Sequence, residues 1–269
     1  MNQWYKFYKL PPENNLIMKY FLVTVIFFYS FCTQIYSQAK LSLGIKAGMN
    51  TPGLGINSSD PVIDGYKTIL EPYFGVVLET GLNKKWSILS EFNYASIGIT
   101  KDGSQIVPQS TYSRYEFGTL VLPTHVYANF YSKITLNYLE LPWMLKYYIY
   151  NNKKINFFVN AGPSIGILLN AQVKTTGKGM IFSDVDHTKP IASINFPFNK
   201  QLEITDWFTP VNLEFQGGAG FTYRIPKGEF FANLNGNIGL FKIQTNSGDG
   251  SNNTKAITLS LGYLYHIWE

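Results

Sequence analysis

LSLGIKAGMN, residues 41–50, alternates apolar side chains with small, polar or charged ones. The apolar positions are Leu41, Leu43, Ile45, Ala47 and Met49. A period of two indicates a β-strand with one apolar and one polar face, whereas an amphipathic helix repeats its apolar residues every three or four positions. We therefore predict that this stretch is a strand.

The same alternation recurs further along the chain, in residues 74–82, 86–95, 139–148, 157–170, 211–225, 232–240 and 257–267. Together with residues 41–50, these segments predict eight strands. Most of them have about ten residues, and a tilted strand needs about 9–11 residues to span a membrane. Strands of this length and pattern are therefore candidates for membrane-spanning strands.

The predicted connections alternate in length. Tight turns are expected at residues 83–85, 151–154 and 226–229, and longer segments at residues 51–69, 99–133, 171–205 and 246–254. Short periplasmic turns and long extracellular loops are typical of outer-membrane barrels, and lipid-exposed sheets have to close because lipid cannot satisfy an open edge. We therefore predict an all-β fold, an eight-stranded antiparallel up-and-down transmembrane barrel with both termini in the periplasm.

A secreted soluble barrel or sandwich, such as a lipocalin, would show the same alternation with the apolar face turned inward. Three features favour the membrane. The polar face is rich in Gly and Asn rather than Lys and Glu, and the chain ends on a strand with terminal aromatic residues. Aromatic residues also collect at the turn end of the apolar face, where a membrane barrel carries a girdle. The predicted girdle consists of Trp86, Tyr147, Tyr223, Phe230 and Tyr265.

Residues 1–38 are interpreted as an N-terminal leader and residues 39–269 as the barrel domain. Met18-Lys19 followed by the apolar run 20–31 has the form of a secretory signal peptide, with cleavage expected after Ser37 or Ala39. Met18 is the expected true start. The only cysteine, Cys32, lies inside this leader, so the mature protein is expected to contain no disulfide. Export to the bacterial outer membrane follows from the leader and the barrel together.

Composition and motifs give no sign of catalysis. Charged residues make up 14% of the chain and form no basic run, so nucleic-acid binding is not expected. The three histidines, His125, His187 and His266, share no metal-ligand spacing. We therefore predict no catalytic site, no metal site and no cofactor, and a protein that is not an enzyme.

The period of two places Lys46, Glu79, Glu91 and Lys146 on the inward face of four consecutive strands. Counted from the periplasmic strand ends, they should lie at similar heights. A buried charge is tolerated when it is paired, so we predict an interior salt-bridge network that plugs the lumen. Further members at other heights are expected to be Glu140, Glu214 and Arg224. The alternatives are separate charges solvated by lumen water, or a path for protons or ions.

Several segments resemble the PorT-like, porin-family outer-membrane β-barrel domain: residues 43–50 (LGIKAGMN), 138–142 (YLELP), 146–148 (KYY), 161–163 (AGP) and 259–263 (LSLGY). Named members of that family assist secretion and gliding. The resemblance implies a structural, binding or secretion-supporting role. The alternatives are a small-solute porin or transporter and, third, an outer-membrane lipid-modifying enzyme. The expected partners are outer-membrane lipids, the barrel assembly machinery and an extracellular or secretion-system protein, with the barrel itself a monomer.

The final strand also resembles the signal that the barrel assembly machinery reads, with Ser260 as the polar residue, Gly262 as the glycine, and Tyr265 and Ile267 as the hydrophobic pair. Replacing Tyr265 and Ile267 together by Asp should lower the amount of protein in the outer membrane. The substitution damages the signal and also puts charges on the lipid-facing side of the strand. Immunoblotting of the outer-membrane fraction measures the effect, and unchanged abundance would refute both interpretations.

Overall fold

A computed structural model describes residues 40–52, 65–107, 126–197, 199–243 and 253–268. The predicted leader with Met18, Cys32 and the cleavage site lies outside these residues, and so does His125. Twelve strands are described: β1 (Lys40–Pro52), β2 (Lys67–Ile69), β3 (Glu71–Gly81), β4 (Trp86–Val107), β5 (Val126–Asn151), β6 (Ile155–Thr176), β7 (Lys178–Phe182), β8 (Pro190–Pro197), β9 (Lys200–Glu203), β10 (Val211–Ile225), β11 (Gly228–Lys242) and β12 (Asn253–Trp268).

Eight of these strands form a closed antiparallel ring, in the order β1, β3, β4, β5, β6, β10, β11 and β12. The first and last strands close it, with Ile45 opposite Tyr263 and Ala47 opposite Leu261. This confirms the predicted eight-stranded antiparallel barrel. A short 3-10 helix, Thr205–Trp207, follows β9. Within the described ranges, no helix is both long enough and apolar enough to cross a bilayer.

The two faces of the strands differ in exposure as the period of two predicts. In β1, the side chain of Ile45 is 67% exposed, while its neighbour Lys46 is 4% exposed. The same alternation gives the barrel an outer band of exposed apolar side chains, including Leu43, Phe74, Phe92, Leu145, Phe215, Leu234 and Leu261. Such a continuous apolar exterior matches hydrocarbon rather than water. The apolar face therefore points outward, and the soluble-barrel alternative is wrong.

Tight connections join the ring strands at one end only, which we call the periplasmic end because short turns face the periplasm in outer-membrane barrels. In the β3–β4 turn, the Asn83 side-chain oxygen accepts hydrogen bonds from the backbone amides of Lys85 (2.9 Å) and Trp86 (3.0 Å). The turn predicted at residues 226–229 is shorter, since Gly228 already pairs with Ile225. The opposite end is called the external end.

Three ring strands extend further than predicted. β4, β5 and β6 contain 22, 26 and 22 residues, so parts of the predicted loops 99–133 and 171–205 are strand. The β4–β5 pairing continues from Gly98 opposite Thr135 to Val107 opposite Val126. Lys101, Asp102 and Gly103 indicate a loop by composition, but pairing with a neighbouring strand overrides local preference. At the external end, β2 pairs with β4, β9 with β6, and β7 with both β5 and β8.

Glycines inside the barrel make room for aromatic rings from neighbouring strands. A Cβ atom added at Gly262 in β12 would overlap the ring of Phe231 in β11. One added at Gly220 in β10 would overlap the ring of Phe158 in β6. The glycine-rich polar face therefore lets large side chains fill the interior of a narrow barrel.

The closed ring predicts heat-modifiable migration. Because no ring strand has an open edge, the barrel should resist detergent until it is boiled. Unboiled and boiled samples should therefore run at different positions on a detergent gel. Identical mobility, together with extraction of the protein by carbonate, would count against a membrane barrel.

Candidate functional site in the barrel lumen

The lumen contains six of the seven charged residues predicted to line it: Lys46, Glu79, Glu91, Glu140, Lys146 and Glu214 are all buried. The seventh, Arg224, lies near the periplasmic rim with its side chain 37% exposed. The register and hydrogen bonds separate the buried charges into three groups along the barrel axis. The first two groups are charge-balanced, whereas the third contains two carboxylates and no cation.

The periplasmic cluster is organised around Glu79 and Lys146. The Lys146 ammonium donates to Glu79 at 2.8 Å and lies 3.9 Å from Glu229, and Arg224 lies 3.5 Å from the other oxygen of Glu229. The hydroxyls of Ser87 and Tyr148 also donate to Glu79, at 2.6 and 2.9 Å. The Lys146 nitrogen sits over the rings of Tyr148 and Phe158, which adds cation–π attraction. Two cations therefore balance two carboxylates.

An apolar layer lies next to the periplasmic cluster. Its side chains come from five of the ring strands and pack together in the lumen: Val77, Leu89, Met144, Phe231 and Leu264. Val77 and Met144 each lie two residues further along their strands from Glu79 and Lys146, toward the external end. This layer separates the periplasmic cluster from the charges above it.

The second group is the ion pair between Lys46 and Glu91, whose nitrogen and oxygen lie 2.5 Å apart. Lys46 also donates to the Tyr73 hydroxyl at 3.1 Å, and the Asn93 amide donates to Glu91 at 2.9 Å. Lys46 lies 4.7 Å from the centre of the Tyr73 ring. This pair is therefore buried, hydrogen-bonded and charge-balanced, the condition under which a buried pair is tolerated.

The third group, called the carboxylate pair, consists of Glu140 and Glu214. The Asn237 amide donates to both carboxylates, at 3.3 and 3.1 Å. Gln216 donates to Glu140 at 3.1 Å, while Asn212 and Thr254 donate to Glu214 at 2.8 and 3.1 Å. Within the part of the chain that the structure describes, no Lys or Arg forms an ion pair with either carboxylate.

The expectation that Lys46, Glu79, Glu91 and Lys146 lie at similar heights is wrong. Glu79 is opposite Ser42, four residues from Lys46, while Lys46 is opposite Gly75. Tilted strands are staggered, so an equal count from the turn does not give an equal height. The four charges form two separate pairs as a result.

Two charged residues lie in strands where the sequence predicts a turn or a loop. Glu229 falls in a predicted turn, but it is buried in the lumen on the same face of β11 as Asn233, which the period of two also gives when it is counted back from Asn233. Near the external end, Lys133 falls in a predicted loop, but it lies in β5 and pairs with Glu71 at 2.5 Å. In both cases the strand extends further than the local pattern predicts.

The predicted girdle residues, Trp86, Tyr147, Tyr223, Phe230 and Tyr265, lie on the outer face near the periplasmic turns. The ring centres of Trp86 and Tyr147 are 4.6 Å apart, and Phe230 packs against Tyr263 at 5.1 Å. In the last strand, Ser260 is buried in the lumen, Gly262 shares its inward face, and Tyr265 and Ile267 are exposed on the outside. Their recognition by the assembly machinery stays a prediction.

The described residues include two serine–histidine contacts. Ser42 lies 2.8 Å from His266 at the periplasmic rim, and Ser104 lies 2.9 Å from His187 near the external end. The Asp184 carboxylate accepts hydrogen bonds from Thr188 and Lys189 instead of from a histidine, and the Thr188 contacts hold the pKa of Asp184 below its usual range. Across the described residues, no group of three or more His, Cys, Asp or Glu side chains is placed to hold a metal.

A closed ring with an apolar exterior and a polar, charge-bearing interior defines an outer-membrane β-barrel. The chain belongs to the family described as outer membrane protein beta-barrel domain, whose sequence pattern matches residues 33–244. It is a protein of the bacterial outer membrane. The comparison with curated proteins found no match.

Similar solved structures include Neisserial surface protein A (NspA), with 10% identity, a TM-score of 0.42, and coverage of 85% of this chain and 99% of that one. Ail of Yersinia pestis, crystallised with a heparin analogue, has 10% identity, a TM-score of 0.34 and coverage of 85% and 97%. The N-terminal barrel domain of Pseudomonas aeruginosa OprF has 10% identity, a TM-score of 0.33 and coverage of 85% and 100%.

Because the two ion pairs are separate, we predict that substitutions in one pair change the free energy of unfolding independently of the other pair. Glu91→Gln and Lys46→Met should each destabilise the barrel by about 3–5 kcal/mol, because each leaves a buried charge unpaired. The double variant should lose less stability than the sum of the two single losses. Urea unfolding in detergent measures this difference, which should be roughly 1–3 kcal/mol.

The matched control combines Glu91→Gln with Lys146→Met, which lies in the other pair. The losses in the free energy of unfolding of these two substitutions should add to within about 0.5 kcal/mol, because distant sites without shared partners are independent. Additive effects in the Lys46–Glu91 cycle, or equal coupling in both cycles, would contradict this division of the lumen.

Proposed function

We propose that the protein is a non-enzymatic outer-membrane barrel with a side-chain-plugged lumen, which binds an external or secretion-system partner through the β-structure at its external end. The observation that carries this proposal is the extension of β4, β5 and β6 beyond the length that a bilayer requires. A spanning strand needs about 9–11 residues, and these strands contain at least twice that number.

The filled lumen supports a role other than solute passage. An eight-stranded barrel is just wide enough for side chains to fill it. Here the periplasmic cluster, the apolar layer around Met144 and the Lys46–Glu91 pair occupy successive levels. A hydrated pore would need all three levels to open, so we favour binding over the porin alternative.

The external extension has a buried core of its own. Val107, Val126, Ala128, Phe130 and Ile181 pack together there, and the Gln105 amide donates to the carbonyl oxygen of Phe130 at 2.6 Å. A sheet with its own core can hold its exposed side chains in fixed positions, which lowers the entropic cost of binding. The extension is therefore suited to present a preorganised surface.

The face of this extension that points away from its core is rich in aromatic and apolar side chains. Ile106 is opposite Tyr127, which is in turn opposite Phe182, and Tyr131 and Met180 lie on the same face. We call these five residues the external aromatic face. Tyr, Phe and Met are enriched in protein interfaces. The aromatic rings supply a large contact area with few rotatable bonds, and the flexible Met side chain adapts to the surface of a partner. A protein partner fits this surface better than a small polar solute.

The proposal also includes membership of the PorT-like group and export through a signal peptide. The LGIKAGMN and YLELP segments support membership of the PorT-like group, and the Met18–Ala39 segment supports export through a cleaved signal peptide. The Ser104–His187 contact does not argue for an enzyme, since the nearby Asp184 carboxylate is engaged by Thr188 and Lys189 rather than by the histidine. A catalytic serine–histidine pair is oriented by a third group.

Site-specific photocrosslinking in intact cells tests the proposal. A crosslinking amino acid at Ile106, Tyr131 or Met180 should give discrete protein adducts, because these exposed side chains lie on the external aromatic face. The matched controls are Ile45 and Leu145, which are also exposed but lie in the lipid-facing band and should give no protein adduct.

Conductance in a planar bilayer separates the two candidate functions. The plugged barrel should give no stable nanosiemens-scale steps. Steps of that size, together with no protein adduct at the external positions, would replace the binding proposal with the pore.

A further inference from the structure

The periplasmic end of the barrel carries exposed lysines around its whole circumference. Each of the three tight turns contributes at least one, and a further one begins β1, next to the closing strand β12. We call this set the basic rim, and its members are Lys40, Lys84, Lys85, Lys153, Lys154 and Lys227. None of these side chains forms an ion pair with another described residue.

No exposed carboxylate offsets the basic rim in the described part of this end. The two carboxylates there, Glu79 and Glu229, are 6% and 3% exposed and are paired inside the periplasmic cluster. At the external end, in contrast, exposed lysines are interspersed with exposed carboxylates, among them Asp102, Asp186 and Glu203. The barrel is therefore basic at its periplasmic end and mixed in charge at its external end.

Backbone hydrogen bonds hold the turns of the basic rim in place. The carbonyl oxygen of Lys85 accepts a hydrogen bond from the backbone amide of Tyr148 at 2.8 Å, and that of Lys154 accepts one from the backbone amide of Arg224 at 2.8 Å. Each of these bonds joins a turn to the neighbouring ring strand. The lysines therefore project from fixed positions, which lowers the entropic cost of binding a ligand.

The basic rim lies directly beside the aromatic girdle. Lys85 precedes Trp86 in the chain, and Lys154 precedes Ile155, which is opposite Tyr223. Aromatic girdles mark the level of the lipid headgroups in outer-membrane barrels. A lysine near this level can lay its carbon chain along the apolar surface while its ammonium group reaches the headgroup. The rim is therefore placed at the level of the lipid phosphates.

We propose that the basic rim binds the phosphate groups of anionic phospholipids in the periplasmic leaflet. Lysines near a membrane surface attract anionic lipids, and this attraction requires no concave pocket. The distribution of the charges favours lipid over an acidic protein, because a globular partner would contact one side of the mouth, whereas lipids surround the barrel. This role is independent of whether the external aromatic face binds a partner.

Electron paramagnetic resonance of spin-labelled lipids tests the proposal on the full mature chain. The chain is reconstituted in phosphatidylcholine bilayers that contain a trace of labelled phosphatidylglycerol or labelled phosphatidylcholine, and the fraction of immobilised label is measured. The parent should favour phosphatidylglycerol by roughly two- to fivefold, since one lysine near a headgroup corresponds to a factor of about five. The preference should nearly vanish in about 1 M NaCl, where surface charges are screened within about 3 Å.

A rim variant locates the binding site. The combined substitutions Lys84→Gln, Lys85→Gln, Lys153→Gln and Lys154→Gln should remove most of the preference, because four of the six rim charges are lost. Arginine at the same four positions should keep it, since the charge is retained. The turns are held through backbone carbonyls, so both variants should fold, and heat-modifiable migration checks this.

The matched control removes four exposed lysines from the external end: Lys67→Gln, Lys178→Gln, Lys242→Gln and Lys255→Gln. A bilayer of symmetric composition offers the same lipids to both ends, so the control should keep the preference of the parent. No preference in the parent, or an equal loss in the control and the rim variant, would overturn the proposal. If the parent shows no preference and a photocrosslinker at Lys153 gives a discrete protein adduct in intact cells, an acidic protein replaces lipid as the partner.

Discussion

The backbone hydrogen bonds between β1 and β12 are the constraint on which the rest of the structure depends. In lipid, an unpaired backbone group has no water to bond to, so a sheet that spans the bilayer has to close on itself. The pairing from Thr51–Ile257 to Ser42–His266 completes the ring. Closure then forces every strand to show one face to lipid and the other to a narrow lumen.

The narrow lumen explains the order of its side chains. Charges placed inside need partners within a space that side chains nearly fill. Lys146 with Glu79 and Lys46 with Glu91 satisfy this need, and the apolar layer of Val77, Leu89 and Met144 fills the cross-section where no charge is present. The carboxylate pair of Glu140 and Glu214 departs from the pattern, because neutral amide and hydroxyl groups rather than a cation donate to it. The external end is free of the lipid constraint, so β4, β5 and β6 can continue as a sheet with its own core.

The alternation of residues 41–50 and its repeats was sufficient to predict the eight strands, their antiparallel closure and the inward side of Lys46, Glu91 and Glu140. It could not predict which charges meet, because height in a barrel depends on strand stagger, a property of the closed ring and not of any single strand. Glu79 therefore forms its ion pair with Lys146, while Lys46 pairs with Glu91. The strand extensions near Val107 and Val126 depend on pairing between distant segments, which local sequence does not reveal.

Disulfide trapping across the closing seam tests the central claim most directly. The predicted mature chain has no native cysteine, and Ala47 and Leu261 are directly opposite one another on the outer face. The Ala47→Cys, Leu261→Cys variant should form an intramolecular disulfide on mild oxidation, since directly paired residues have Cβ atoms about 4.5–5.5 Å apart. The off-register variant Ala47→Cys, Leu259→Cys should not. Failure of the first pair, equal trapping of both, or disulfides only between molecules would contradict a ring closed by β1 and β12.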